Sequence, residues 1–197
     1  MKFTILSAFL FIFFTACSVT KRSSSIKMAD GNPYYEQDSP YVNIQLLGDY
    51  FFQPLKTKYF RDIDKGFIKY ATSRSGSSKP SILYTAHTII QPYYSSVCLQ
   101  YRTKLPDTAF LNSIKSQLHT RLKVKIPKME IARCGVKNAY KLTYHTTHPL
   151  TQVVISHTEY FCRAGEFIYR LLFWTTNSDD SAISTDAEYI IKEMRFD

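Results

Sequence analysis

Apolar residues recur with two different periods along the chain, and these periods predict where strands and helices lie. Alternation of apolar and polar residues predicts strands, because successive side chains of a strand point to opposite faces. The segments predicted as strands or extended pieces are residues 41–47, 50–53, 66–71, 81–90, 97–102, 130–136, 139–145, 152–162 and 166–175. The stretch 72–80 is rich in Ser and Gly and is predicted to be a loop.

One segment in the middle of the chain has the helical period instead. It follows Pro106, and Asp107 or Thr108 can accept hydrogen bonds from its first turn. Its apolar residues fall on one stripe, which is typical of a helix lying on a core. The stripe consists of Phe110, Leu111, Ile114, Leu118 and Leu122.

The four strands predicted after this helix are joined by short links at residues 137–138, 146–150 and 164–165. Links of this length join antiparallel neighbours, so the pattern predicts a meander. The strand 166–175 is apolar on both faces, which is typical of a central strand covered on both sides.

A second helix is predicted at residues 186–194, where Thr185 and Glu188 fit a capping box. Its buried stripe is expected to contain Ile183, Ala187, Ile190, Ile191 and Met194. The order of elements predicts an α+β fold in which helices flank a central antiparallel sheet.

The first residues have the layout of a secretory signal. Lys2 precedes an apolar run at residues 3–14, and Thr15-Ala16-Cys17 follows. The run is too short for a transmembrane helix, which needs about 20 apolar residues. An ordinary signal peptide cleaved near Ala16, with no special role for Cys17, is one interpretation.

The other interpretation rests on Phe14-Thr15-Ala16-Cys17, which resembles the lipobox of bacterial lipoproteins, with Phe14 where Leu is usual. The resemblance implies cleavage before Cys17, acyl chains on that cysteine and a chain held to a membrane of the bacterial envelope. Ser18 is not an acidic retention residue, so the resemblance further implies the outer membrane, with the protein facing the periplasm.

The lipobox interpretation divides the chain into three parts. Residues 1–16 are the signal peptide, and residues 41–197 form a single domain. Residues 17–40 are predicted to be a flexible tether, because they are rich in Ser, Lys, Asn and Pro. The alternative is that part of this stretch docks on the domain through Tyr34 and Tyr35.

Composition narrows the class of partner. Apolar residues make up 45% of the chain, with 15 Tyr and 14 Phe, which favours a globular, strand-rich protein. The formal net charge is +9. Because an exported protein rarely meets nucleic acid, we expect anionic lipid, cell-wall polymer or an acidic protein as partner.

The cysteines allow at most one internal disulfide, since Cys17 is reserved for lipid. We favour Cys134 with Cys162, because the predicted turns place both at one end of the sheet, although an intervening strand sets their backbones about 9.6 Å apart. Cys98 with Cys134 is the alternative.

No motif predicts catalysis or a cofactor. The sequence has no GxSxG, HExxH, P-loop or dinucleotide fingerprint, and no CxxC or HxxxH spacing for a metal. His145 and His148 bracket a predicted hairpin loop, and His157 is expected roughly 20 Å further along its strand. We therefore expect a non-enzymatic protein without metal.

The doublet Tyr93-Tyr94 is a candidate partner contact. Adjacent residues on a strand point to opposite faces, so at least one of the two rings can be exposed. Exposed Tyr is typical of protein-binding surfaces, whereas ordinary core packing is the alternative for either residue.

The end of the chain resembles the PsbP-like family, whose last strand reads G-x-x-Y-x-L-x-F. Gly165, Tyr169, Leu171 and Phe173 match, although Tyr169 follows the glycine by four residues rather than three. Met194-Arg195-Phe196 replaces the family's Ser-Phe exit. The resemblance implies an α/β/α sandwich over residues 41–197 and a non-catalytic attachment or assembly subunit, with no active site to carry over.

The leading hypothesis is thus a membrane-anchored envelope protein that binds an unidentified envelope protein. A carrier of a small hydrophobic ligand or lipid, with a cavity between sheet and helix, is the second hypothesis. An unrecognised hydrolase is the third.

Overall fold

The computed structural model describes residues 24–38, 40–47, 50–51, 66, 68–72, 79–88, 94–124, 128–148, 151–176 and 181–196. The predicted signal peptide and Cys17 lie outside these residues. The strands are β1 (Ser24–Ala29), β2 (Asn32–Asp38), β3 (Tyr41–Gln45), β4 (Tyr50–Phe51), β5 (Ser81–Thr88), β6 (Tyr94–Arg102), β7 (Lys128–Cys134), β8 (Lys137–Thr147), β9 (Val154–Ala164), β10 (Phe167–Thr175) and β11 (Arg195–Phe196). The helices are α1 (Asp107–Leu122) and α2 (Ser181–Lys192).

The strands form two antiparallel sheets. The large sheet has the order β4-β5-β6-β10-β9-β8-β7, and the small sheet has the order β1-β2-β3-β11. The predicted meander is confirmed as β7 to β10. The turn between β7 and β8 lies at Gly135-Val136, two residues earlier than predicted, because Gly135 takes the positive φ of 56° that this tight turn uses.

Each face of the large sheet is covered by its own apolar cluster. On one face Phe110, Ile114 and Leu118 of α1 pack against strand residues such as Leu99 and Leu172. The opposite face packs against α2 and the small sheet. That second cluster includes Val42, Ile44, Leu171, Phe173, Ala187 and Ile190. The prediction that residues 166–175 form a central strand is confirmed, since β10 lies between β6 and β9 and is apolar on both sides.

The architecture is α+β with a central antiparallel sheet, but it differs from the predicted α/β/α sandwich. A sheet flanked by helices alone was expected, whereas one face is covered by α2 together with the four-stranded sheet. None of the helices in the described part of the chain combines the length and the apolar character that crossing a bilayer requires.

The tether prediction is wrong for residues 24–38, which form the β1–β2 hairpin. Every second residue of β2 is buried, namely Pro33, Tyr35 and Gln37. Tyr35 packs against Tyr84 of the large sheet, with ring centroids 6.0 Å apart. The stretch folds because alternate residues of β2 face a core, although its overall composition is polar.

Residues 68–71 are helical, so their prediction as a strand is wrong. The hydroxyl of Thr72 donates to the Ile68 carbonyl at 2.7 Å and closes this turn. Alternation over so short a stretch does not separate a strand from one helical turn.

The helix starts also differ from the predictions. The first turn of α1 has no side-chain cap, because the Asp107 carboxylate instead accepts from the Arg163 guanidinium on β9. Helix α2 begins at Ser181, so Thr185 lies inside the helix and does not cap its start. The apolar stripe of α1 is confirmed, with Phe110, Leu111, Ile114 and Leu118 buried and Leu122 half-buried.

Candidate functional site

One edge of the large sheet exposes apolar side chains. Strand β7 ends the strand order, and no described strand pairs with its outer side. The side chains of Met129, Ile131 and Val136 are 44%, 83% and 97% exposed. We call these three residues, with the outer backbone of β7, the β7 edge. An exposed apolar group of this kind is typical of a contact with another molecule.

The backbone of β7 is also available for pairing. The two-residue turn Gly135-Val136 makes Cys134 and Lys137 a hydrogen-bonded pair, and such pairs alternate along an antiparallel ladder. Counting back from the turn, Met129 and Ile131 fall in the non-hydrogen-bonded pairs. Their N–H and C=O groups therefore point to the outer side, which makes the edge a template for another strand.

Contacts with the end of α2 fix the position of the β7–β8 hairpin. The Gly135 N–H donates to the Ile191 carbonyl at 2.9 Å, and the Cys134 Sγ lies 3.5 Å from the Met194 Sδ. The Lys137 ammonium lies over the Phe196 ring, 5.3 Å from its centroid. The edge is thus a pre-formed part of the fold.

Charge around this edge favours an acidic partner. Strand β7 contains Lys128 and Arg133 against a single carboxylate, Glu130, and Arg133 is exposed. The whole chain carries a formal charge of +9. Complementary charge speeds association and discriminates between partners more than it adds affinity.

A buried ion pair lies on the α1 side of the large sheet. Arg170 on β10 and Glu159 on β9 are both fully buried. The Arg170 Nε donates to the Glu159 Oε2 at 2.7 Å, and the Nη2 donates to the Oε1 at 3.0 Å. The Nη1 donates to the Ala71 carbonyl and the Tyr101 hydroxyl, both at 3.4 Å, and the Nη2 also donates to the Tyr70 hydroxyl at 3.2 Å. The network thereby joins the sheet to the helical residues 68–71.

The charge states within this network follow from burial. Burial opposes the Arg170 charge, but the carboxylate of Glu159 and the phenol oxygens around it raise the pKa of Arg170 above its ordinary value. Tyr144 donates to Glu159, and burial followed by the Glu159 charge raises the pKa of Tyr144. Arg170 therefore stays charged and Tyr144 stays neutral at neutral pH, an arrangement that suits internal support.

His157 stacks on Tyr144 beside this network, with ring centroids 4.6 Å apart and planes 11° from parallel. Burial, followed by the nearby His145 and Arg170, lowers the pKa of His157 to about 3. Its Nε2 is 2.8 Å from the Thr146 hydroxyl. The imidazole is therefore neutral at physiological pH.

The expected 20 Å separation of His157 from the hairpin histidines is wrong. Strand β8 continues to Thr147, so Tyr144 pairs with His157 and His145 pairs with Ser156. The loop lies further along the chain, where the His148 ring contacts Thr151. Within the described ranges, no three His, Cys, Asp or Glu side chains lie close enough to hold a metal ion.

Neither predicted disulfide is formed. Cys98, Cys134 and Cys162 are free thiols and are buried in the core between the large sheet, the small sheet and α2. Strand β8 lies between the backbones of Cys134 on β7 and Cys162 on β9, but their thiols hydrogen-bond to each other, so the predicted pair is brought together as two free thiols. Burial raises the pKa of the Cys98 and Cys134 thiols, so both stay protonated and unreactive in the folded protein.

The structure does not test the partner contact predicted for Tyr93 and Tyr94. Tyr93 lies outside the described residues, and the Tyr94 backbone starts β6 opposite Thr175. The sequence analysis missed both the β7 edge and the Arg170–Glu159 pair. The signals available were the alternation of Met129 and Ile131 with the charged Glu130, and the charges Glu159 and Arg170 within segments predicted to be strands.

A small pocket lies where the start of α1 meets the large sheet, lined by residues including Asp107, Phe110, Tyr140 and Arg163. Its volume is about 10 Å³, which suits a single water molecule. A lipid needs far more space, so this pocket gives no support to a carrier function.

Comparison with known proteins gives a fold-level match. No protein-family model matches the chain, and no curated protein matches it. The chain is similar to a crystal structure of LpqN, described as involved in cell envelope biogenesis of Mycobacterium tuberculosis. The TM-score is 0.50 at 11% identity, and the match covers 88% of this chain and 90% of that chain. A similarity at this identity shows a shared fold.

Proposed function

We propose that this protein is a lipid-anchored protein of the bacterial envelope that binds a partner protein through the β7 edge and performs no chemistry itself. The observation that carries the proposal is the 83% exposure of Ile131 on an edge strand whose outer backbone is open within the described residues. The lipobox at Cys17 and the similarity in fold to LpqN, a protein of cell envelope biogenesis, support an envelope location.

The partner adds an extended segment to β7. Main-chain hydrogen bonds to the outward groups of Met129 and Ile131 supply affinity, as in other complexes in which a strand is added to a sheet edge. Apolar residues at alternate positions of the partner cover the two exposed side chains. Acidic residues of the partner face the exposed Arg133 near the turn end of β7.

The lipid anchor and the location within the envelope are inferred from the sequence. Cleavage after residue 16, acylation of Cys17 and an outer-membrane position facing the periplasm follow from the lipobox and Ser18. The resemblance of Gly165, Tyr169 and Leu171 to the PsbP-like strand favours an attachment or assembly role.

Site-specific photocross-linking in living cells tests the binding surface. A benzophenone amino acid replaces Ile131 in one variant and Ile82 in another. Ile82 is a matched control, because it is 48% exposed on β5 and lies about 24 Å across the same sheet, five strand spacings away. We expect the probe at 131 to join one envelope protein within an extended acidic segment. Equal products from both positions would contradict the proposal.

Proline substitutions then test strand addition itself. Met129→Pro removes an outward N–H and leaves the β7–β8 ladder intact, so we expect a folded protein that no longer captures the partner. Glu130→Pro is the comparison variant, because it removes a ladder N–H opposite Lys141 and lowers stability instead. Normal partner capture by the Met129→Pro protein would rule out pairing through this edge.

A further inference from the structure

A second exposed apolar group lies on β1, the edge strand of the small sheet. Ile26 and Met28 are 54% and 66% exposed. They pair with Tyr35 and Pro33 of β2, both buried, so the four residues share one face of the small sheet. The apolar inner face of the small sheet thus continues past the core, and we call Ile26 and Met28 the β1 overhang.

The folded part of the chain starts very close to the predicted anchor. Only residues 18–23 separate Cys17 from Ser24, the first residue of β1. Seven residue steps span at most about 25 Å when fully extended. A domain of this length has a radius of gyration of about 16 Å and a breadth of roughly 40 Å. An anchor at Cys17 therefore keeps the β1 side of the domain against the bilayer.

Charge near the anchor fits an anionic surface. The linker contains Lys21 and Arg22, and β1 adds Lys27. Lys27 forms an ion pair with Glu36 across the hairpin, on the face opposite the overhang, and Asp30 and Asp38 of the hairpin are exposed. The positive charge next to the anchor therefore comes from Lys21 and Arg22. Each cation near an anionic leaflet contributes about 1 kcal/mol to its attraction.

We propose that the β1 overhang inserts into the headgroup region of the anionic bilayer that carries the Cys17 acyl chains, which fixes the orientation of the domain. This inference rests on the anchor in the proposed function. Strand β11 lies about 14 Å from β1, three strand spacings away, and the β7–β8 turn lies beside it. The turn and Val136 then lie at the opposite edge of the small sheet from the inserted strand, where a partner can reach the β7 edge.

A fluorescence experiment on the full acylated chain in vesicles of phosphatidylethanolamine and phosphatidylglycerol tests this. An environment-sensitive dye is attached to one new cysteine at a time, in the variants Ile26→Cys, Lys27→Cys, Met28→Cys and Val136→Cys. The native thiols at Cys98, Cys134 and Cys162 are buried, so native labelling is selective for the new site.

We expect dyes at 26 and 28 to shift their emission to shorter wavelength and to be quenched by brominated lipid. Dyes at 27 and 136 should stay water-like, because position 27 points to the opposite face of β1. Water-like emission at 26 and 28 in acylated protein would overturn the orientation and leave the anchor intact. A chain without acyl groups at Cys17 would overturn the anchor itself.

Discussion

Replacing Glu159 by glutamine removes the negative half of a fully buried ion pair. The Arg170 guanidinium loses its charged acceptor and stays 0% exposed, so water cannot compensate it. A glutamine carbonyl can replace one carboxylate oxygen. Its amide group would meet the donors that contacted the other oxygen, which are Arg170 and Tyr144.

The expected cost is large for this reason. Breaking a buried pair by removing one partner costs about 3–5 kcal/mol, because an uncompensated charge stays inside the protein. This is a large part of the 5–15 kcal/mol that folded domains typically have. We therefore expect the free energy of unfolding of Glu159→Gln to fall by about 4 kcal/mol, and Tm to fall by roughly 10 °C.

Urea unfolding followed by circular dichroism measures the change, with Glu188→Gln as matched control. Glu188 also pairs with a cation, Lys141, at 2.7 Å, but its side chain is 61% exposed, so its loss should cost at most about 1 kcal/mol. The double variant Glu159→Leu, Arg170→Met removes both charges and should recover most of the lost stability. Equal losses for the two glutamine variants, or a double variant no better than Glu159→Gln, would refute the reasoning.

Two further changes follow from the same structure. Gly135→Ala should lower the free energy of unfolding in urea by several kcal/mol, because its Cβ would lie 2.2 Å from the Met194 carbonyl oxygen. Gly31→Ala is the control, since Gly31 also has a positive φ but lies in open space, and it should cost only about 1–2 kcal/mol. Equal costs for the two variants would argue against the clash. The pKa of His157 falls from 6.5 to about 3 on folding, so between these pH values the unfolded chain binds more protons than the folded chain. The free energy of unfolding should therefore fall as pH is lowered through this window. The contribution of His157 is up to about 1.4 kcal/mol per pH unit. His157→Phe keeps a ring against Tyr144 and should flatten the measured slope, whereas an unchanged slope would contradict the assignment.

The central sheet could be predicted from sequence because its pattern is local. The two apolar faces of β10 already indicate a central strand, and the stripe of α1 indicates a helix on one face. The small sheet could not be predicted this way. Most residues of β2 are polar, which is typical of a tether, and the burial of its alternate residues depends on a distant partner, Tyr84.

The chemistry of the site depends on register, which composition does not reveal. Glu159 and Arg170 are 11 residues apart and meet because β9 and β10 pair in the observed alignment. His145 and His157 come close for the same reason, once β8 is seen to extend to Thr147. Exposure at Ile131 depends on β7 ending the strand order, which follows from the whole topology.

The proposed function and the proposed membrane orientation both depend on a short connection between an acylated Cys17 and the folded strand that begins at Ser24. Intact-mass measurement of the native protein extracted from bacterial membranes tests this directly. We predict a chain that starts at residue 17 and carries the added mass of a diacylglyceryl group on its first cysteine. A membrane-free protein with an unmodified Cys17, or a mature chain that starts within or beyond β1, would contradict it.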